Sequence, residues 1–196
     1  KFTTMFYGGY DGVNILDKEA QNMTDKASSN ELNGGANSSF TSPGFSTNQN
    51  GTGKNNNTVS SFNKAIKIMT DPFVSNANIL CVPGQREPLV TDFALERARD
   101  FGLAEFLMDI PYYDSDLNRI FDGERNKFVS VNKTADSFES RTVDNEFGAA
   151  YFPNVVLDDL INNRRVTVPA SVAALAAVSY NDKVAYPWFA PAGFNR

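Results

Sequence analysis

The chain has 196 residues, no histidine, one cysteine, and 23 acidic against 18 basic side chains, for a net charge of −5. Without histidine, Ser-His-Asp and Cys-His nucleophile activation and imidazole zinc sites are excluded, and the acidic balance argues against a surface that displaces counterions from nucleic acid. The length and a hydrophobic content of 41% predict one soluble domain with a real core, and no apolar run nears the ~20 residues of a bilayer crossing.

The chain opens at Lys1, and Phe2-Thr-Thr-Met-Phe-Tyr7 behind it resembles neither an initiator methionine nor a signal peptide, so the expectation is a portion of a longer protein. That stretch reads as a strand running into the glycine turn Gly8-Gly9-Tyr10-Asp11-Gly12. Residues 28–58 are almost wholly Gly, Ser, Thr, Asn, Gln and Pro, with Glu31 and Lys54 as the only charges. They bury too little apolar surface to offset their ordering entropy and are expected to be a long exposed insertion. A helix follows, capped by Ser60 or Ser61, with an apolar stripe of Phe62, Ile66 and Met69 and a stop at Asp71-Pro72. Ile79-Leu-Cys-Val82, stopped by Pro83-Gly84, has the continuous apolar character of a strand buried on both faces.

Pro88 opens a second helix, with Phe93, Ala94, Ala98 and Phe101 on one side and Gly102 as its stop. Residues 103–110 then form a strand ended by Pro111. Strand, helix and strand within this span predict a crossover unit, so part of the sheet is parallel. A short helix is expected at 135–142, an extended stretch at 147–157 interrupted by Pro153, and a strand at 165–168. Pro169 then starts a helix that is apolar nearly all round and therefore buried. The aromatic, proline-rich tail from Tyr186 is expected to be packed. The fold class is α/β, a mixed, partly parallel sheet flanked by helices, in one domain over 1–196 that carries the polar insertion.

Several motifs resemble chemical sites and fail on particular positions. Gly51-Thr-Gly53-Lys54 resembles the end of a phosphate loop, but Asn48 and Asn55 stand where Gly and Ser or Thr are needed. Asp114-Ser-Asp116-Leu-Asn118 matches the first ligands of a calcium loop, yet Arg119 and Arg125 occupy the Gly and closing Glu positions, so an Asx turn is the better reading. Asp109, at a strand end where α/β sheets bind ligands, could pair with Asp114, Asp116 or Asp122 for acid/base chemistry; this leaves an α/β hydrolase or carbohydrate-binding domain as an alternative. An adhesin using the polar 28–58 surface is a third. The sequons at Asn22, Asn37, Asn50, Asn56 and Asn132 follow from composition, and Cys81 reads as a small core residue that indicates no oxidising compartment. No cofactor or metal is expected.

The order of the turns carries a resemblance. Met5-Phe-Tyr-Gly-Gly-Tyr-Asp-Gly12, then Ile79-Leu-Cys-Val-Pro-Gly84, Phe106-Leu-Met-Asp-Ile-Pro111, Ala149-Ala-Tyr-Phe-Pro153, Val166-Thr-Val-Pro-Ala-Ser171 and Trp188-Phe-Ala-Pro-Ala-Gly193 are together similar to the tail sheath proteins of contractile-tailed bacteriophages, and in particular of large myoviruses. The matching positions are Gly8, Gly9, Asp11, Gly12, Pro83, Gly84, Asp109, Pro111, Tyr151, Pro153, Pro169, Ser171, Trp188, Pro191 and Gly193. Ala170, Ala174 and Phe189 depart from the family pattern. The resemblance implies a structural subunit without enzymatic activity. Such subunits form stacked hexameric rings around a tail tube and contract to drive that tube through the host envelope. Its implied partners are other sheath copies, the tube and the baseplate, its place is the virion, and it touches neither nucleic acid nor membrane. The family is longer than this chain, so a core fragment that is monomeric in solution is expected.

Overall fold

Three short strands in parallel, two helices over one face and one over the other, make up the part of the protein that positions everything else. The computed structural model describes residues 25–28, 54, 56–121, 127–141, 143–186 and 188–191. The proposed N-terminal strand and its glycine turn, most of the 28–58 insertion, and Gly193 lie outside these residues.

A four-residue helix α1 (Asp25–Ser28) packs against α2 (Asn57–Met69). The α2 cap is Asn56, not Ser60 or Ser61: its side chain accepts from Thr58 N at 2.8 Å and Val59 N at 3.2 Å, which satisfies two otherwise orphaned donors. Starting a turn earlier makes Val59, Ile66 and Thr70 the buried stripe, and Met69 turns outward. Asn56, the fourth sequon, is itself buried and serves the helix rather than the surface.

β1 (Ile79–Cys81) leads through Pro83 and Gly84, whose φ of 77° needs glycine, to α3 (Pro88–Phe101). Pro88 fits at the first helical turn, and Gly102 in the left-handed region ends the helix. β2 (Glu105–Asp109) returns parallel to β1, and β5 (Gly148–Tyr151) adds parallel on its other side, giving the order β1-β2-β5. The predicted parallel crossover is therefore present. The strand buried on both faces is β2, however. Among the described residues β1 is an edge of this sheet with only Leu80 buried, and Cys81 is half-buried.

Side chains alternate across a strand, and β2 uses both directions. Phe106 and Met108 join Val90, Ala94, Leu95 and Ala98 of α3 and Val59 and Ile66 of α2 in the main core. Asp109 points the other way, toward the start of α5 (Ala170–Val184), which packs on β2 and β5. The expectation that α5 is buried all round is corrected, since only Ala170, Ser171 and Asn181 are buried. One face meets the sheet, and the described elements offer nothing to cover the other.

Between β2 and β5 lie β3 (Tyr112–Tyr113) and β4 (Arg119–Ile120), an antiparallel hairpin, and α4 (Val131–Glu139). α4 begins four residues before the predicted helix because Ser130 caps it, accepting from Lys133 N. The extended stretch at 147–157 is two strands in different sheets. β5 ends at the cis peptide Phe152-Pro153, and β6 (Val155–Asp159) pairs antiparallel with β7 (Arg164–Val168) in a separate hairpin. At its tip Leu160 and Ile161 are 89% and 94% exposed. The aromatic tail is also not packed under the domain. Tyr186 and Trp188 stack on one another at 4.8 Å with Phe189 beside them, and Trp188 is 76% exposed.

β5 approaches α3 so closely that a Cβ on Gly148 would lie 2.1 Å from Leu95 Cδ1. Leu95 is buried in the main core, so its side chain must shift to admit the extra carbon. Gly148→Ala is expected to destabilise by about 1–3 kcal/mol in urea unfolding, with most of that penalty absent in a Leu95→Ala background.

Candidate functional site

The carboxyl ends of the three parallel strands are where open α/β sheets collect ligands, and the sequence motifs converge there. Pro83 and Gly84 follow β1, Asp109 and Pro111 close β2, Tyr151 and Pro153 close β5, and Pro169 and Ser171 begin α5. Tyr151 lies beside Asp109 in the strand register. Trp188 and Pro191 are apart from this edge, beyond the C-terminus of α5. Gly8, Gly9, Asp11, Gly12 and Gly193 lie outside the described residues.

At the centre of the edge is Asp109, 2% exposed. One carboxylate oxygen accepts from Ser171 N at 2.9 Å, and the other accepts from Ser171 Oγ at 2.7 Å and Gly84 N at 3.0 Å. The helix α5 has Pro169 at its N-cap position, which supplies no side-chain cap. Asp109 supplies that cap from 62 residues away, accepting from the buried Ser171 N–H at the helix N-terminus, where the helix dipole favours a carboxylate. Both oxygens are thus occupied by protein donors. Cys81 stands near enough to feel the same charge: burial pushes its thiol above the ordinary value, and Asp109 adds to the rise, leaving a poor nucleophile.

Of the other carboxylates proposed as partners for Asp109, that of Asp114 serves a turn of its own, to which Asp116 contributes its backbone N–H. Asp114 accepts from Asp116 N at 2.9 Å, Asn118 N at 2.8 Å and Asn118 Nδ2 at 3.2 Å, which is an Asx turn closing the β3–β4 hairpin. Its exposed carboxyl is held below the usual carboxylate range, chiefly by the Asn118 backbone N–H. Asp159 does the same at the β6–β7 turn, where the Asn162 side-chain amide is the main cause of its lowered pKa. Asp122, Arg125 and Gly51 to Gly53 lie outside the described residues. Among the described residues no group of three or more acidic or cysteine side chains could hold a metal. A shallow cleft beside α3 involves Asp92, Glu96, Arg99 and Arg141 without Asp109; Arg141 there is bonded to Asp92 and Thr91.

A second buried polar system gave no signal in the sequence. Gln85, Arg86 and Glu87 lie between Pro83-Gly84 and Pro88, and all three are buried together with Asp25 and Arg119. Arg86 lies 4.1 Å over the Tyr112 ring and donates to Asn154 Oδ1 at 3.0 Å. Tyr112 in turn donates its hydroxyl to Asn154 Oδ1 and accepts from Asn154 N. The loop is thereby joined to the connection between β5 and β6. Only the flanking prolines and glycine hint that this short segment is constrained.

Comparison of the chain with protein-family models, with curated proteins and with solved structures finds no match. No helix among the described residues is long and apolar enough to cross a membrane.

Removing the Asp109 carboxylate leaves three donors without their acceptor, each bond being one to a charged group. Asp109→Ala is expected to cost about 3–5 kcal/mol in urea unfolding, and Ser171→Ala less, since the Ser171 and Gly84 N–H bonds survive. An unchanged or raised midpoint for Asp109→Ala would instead indicate a carboxylate kept for chemistry at the expense of stability.

The two turn aspartates have folded pKa values below their unfolded ones. Their contribution is therefore fully present above the ordinary carboxylate pKa of about 3.9 and is lost as pH falls through the lower folded value. Protection of the Asn118 and Ile161 amides relative to their intrinsic exchange rates should fall on acidification in that window, and Asp114→Asn and Asp159→Asn should each flatten the response of their own turn.

Proposed function

We propose that the protein is a structural subunit of a contractile phage tail sheath. Such a subunit stacks in hexameric rings around the tail tube and moves with its neighbours when the sheath shortens. The observation that supports the reading is that the turns carrying the resemblance meet in space. Val82-Pro-Gly84, Asp109-Ile-Pro111 and Val168-Pro-Ala-Ser171 are far apart in sequence, and Asp109 bonds to both of the others. Their order along the chain is thus the order demanded by one sheet edge. That edge has its carboxylate filled by protein donors, as suits a part that moves as a rigid body.

An array of such subunits needs two different contact patches on each copy. The exposed hairpin tip at Leu160 and Ile161 and the exposed outer side of α5 with Tyr180, Val184, Tyr186 and Trp188 provide apolar surface of the kind that interfaces use. On this reading the partners are other copies of the sheath protein, the tail tube and the baseplate, and the protein resides in the virion. Changes in subunit packing, not bond chemistry, carry the work.

Electron microscopy of the complete gene product tests the proposal. Tubes of stacked six-fold rings are expected, and replacing Leu160 and Ile161 by Asp should abolish or shorten them without loss of the folded domain. Isolated globular particles at every concentration and salt condition would refute it.

A further inference from the structure

The tip of the β6–β7 hairpin is held in one shape. Asp159 accepts from the Ile161 and Asn162 N–H groups at 3.2 Å each and from Asn162 Nδ2 at 2.7 Å, and Asn163 turns the chain with a φ of 48°. Leu160 and Ile161 are thereby presented at the outermost point, almost fully exposed. Behind them the register pairs Asp158 with Arg165 and Asp159 with Arg164. Because side chains alternate across a strand, one of these pairs lies on each face of the ribbon. Each arginine meets its aspartate through Nε alone, Arg165 at 3.3 Å and Arg164 at 3.5 Å, and both side chains are largely exposed. Their Nη groups have no partner among the described residues.

A second shaped surface lies beyond the end of α5 that is far from the hairpin root. The buried Asn181 donates from Nδ2 to Phe189 O at 2.8 Å, and Phe189 N donates to Tyr186 O at 2.9 Å. These bonds fix a step in which the Tyr186 and Trp188 rings stack with their planes 1° apart and Phe189 lies beside both. Tyr186 and Trp188 use one face each on one another, and both remain exposed. The free face of such a ring is the negative side of its quadrupole and attracts a guanidinium, and aliphatic side chains pack on the same rings. A hairpin tip brings both to a step. Its aspartates also keep the tip neutral, so covering it strands no net charge. Two tips placed together would set arginine against arginine and offer neither an aromatic face.

We propose that the hairpin tip of one copy docks on the Tyr186–Trp188 step of the next copy of this chain. Leu160 and Ile161 lie against the rings, and Arg164 or Arg165, whichever face of the ribbon is turned inward, stacks over a free ring face. Each copy gives a tip and receives one, so the contact is heterologous and propagates head to tail. This rests on the reading of the protein as a subunit that assembles with its own copies, and it makes the two patches each other's partners.

Trp188 is the single tryptophan of the 196-residue chain and reports the contact. As protein concentration rises, its emission should move to the blue and its quenching by acrylamide should fall. Leu160→Asp combined with Ile161→Asp should weaken this association about tenfold or more, and Arg164→Gln combined with Arg165→Gln by a smaller factor. The double Asp variant keeps the step without a working tip, and Trp188→Ala keeps the tip without a tryptophan. Mixing the two should restore protection of the one tryptophan present, a result that only a tip on a step produces. Protection of the double Asp variant by itself would mean step on step, and protection of the wild type at the lowest concentrations would mean that the chain covers its own step. Either outcome overturns the proposal, as does quenching that never changes with concentration. Tubes of the complete gene product that persist in Trp188→Ala would overturn the docking alone, whereas protection on mixing in a protein that forms no tubes would support the docking and refute the sheath reading.

Discussion

One buried carboxylate decides how the parallel sheet ends. Prolines 83, 111 and 169 crowd its carboxyl edge, and each removes a backbone donor and fixes φ. The N–H groups that remain at Gly84 and Ser171 must find an acceptor away from water, because an orphaned buried donor costs about as much as a lost hydrogen bond. Asp109 accepts from both and from the Ser171 hydroxyl. The same bonds cap α5, whose own cap position is a proline. Without that carboxylate the turn after β1 and the start of α5 would both lose their fixed point on β2. Three protein donors fill its two oxygens.

The second buried polar system extends this anchoring to the rest of the chain. The Arg86–Tyr112–Asn154 contacts hold the peptide that leaves β5, and Asp109 holds the helix that follows β7. The β6–β7 hairpin is therefore rooted at both ends, at Asn154 and Ser171, and projects between the roots. A two-stranded ribbon is marginally stable alone in water, and fixing both roots removes much of the entropy that would otherwise oppose its pairing. An apolar tip held out on such a ribbon is positioned rather than trailing.

What the sequence made legible were features with a local cause. Pro88 and Gly102 mark the ends of α3 because one fits only a first turn and the other only a left-handed stop. The apolar run of β2 and the crossover follow from pattern and length. The failures have non-local causes. Asn56 looked like part of a polar tract, and becomes a cap only because Val59 has a core to enter. The composition of α5 says apolar on every side, but burial depends on how many neighbours the fold brings to it, and the described elements bring them to one face. Gln85, Arg86 and Glu87 are polar residues in a loop by every local criterion; their burial is created by Asp25, Arg119 and Asn154, with Arg119 lying 32 positions from Glu87 and Asn154 lying 68 from Arg86. At the candidate site, the strand-end position of Asp109 was readable, whereas its partners were not, since nothing local announces that a serine 62 residues later lies beside it.

The fold-making contacts and the exposed apolar surface thereby fall to different residues. The turns that resemble a sheath protein are fold-making turns, with Gly84, Asp109 and Ser171 facing one another. The surfaces available to other molecules are the ones those turns leave outside: the hairpin tip, the outer side of α5 and the stacked rings of Tyr186 and Trp188. On the proposed sheath reading, a subunit that keeps its shape while its contacts change requires this separation. Contacts can be exchanged at the periphery only if the roots of the peripheral elements stay fixed, and both roots of the hairpin carry directional polar bonds, at Asn154 and Ser171, that restrain pivoting more than apolar packing alone would.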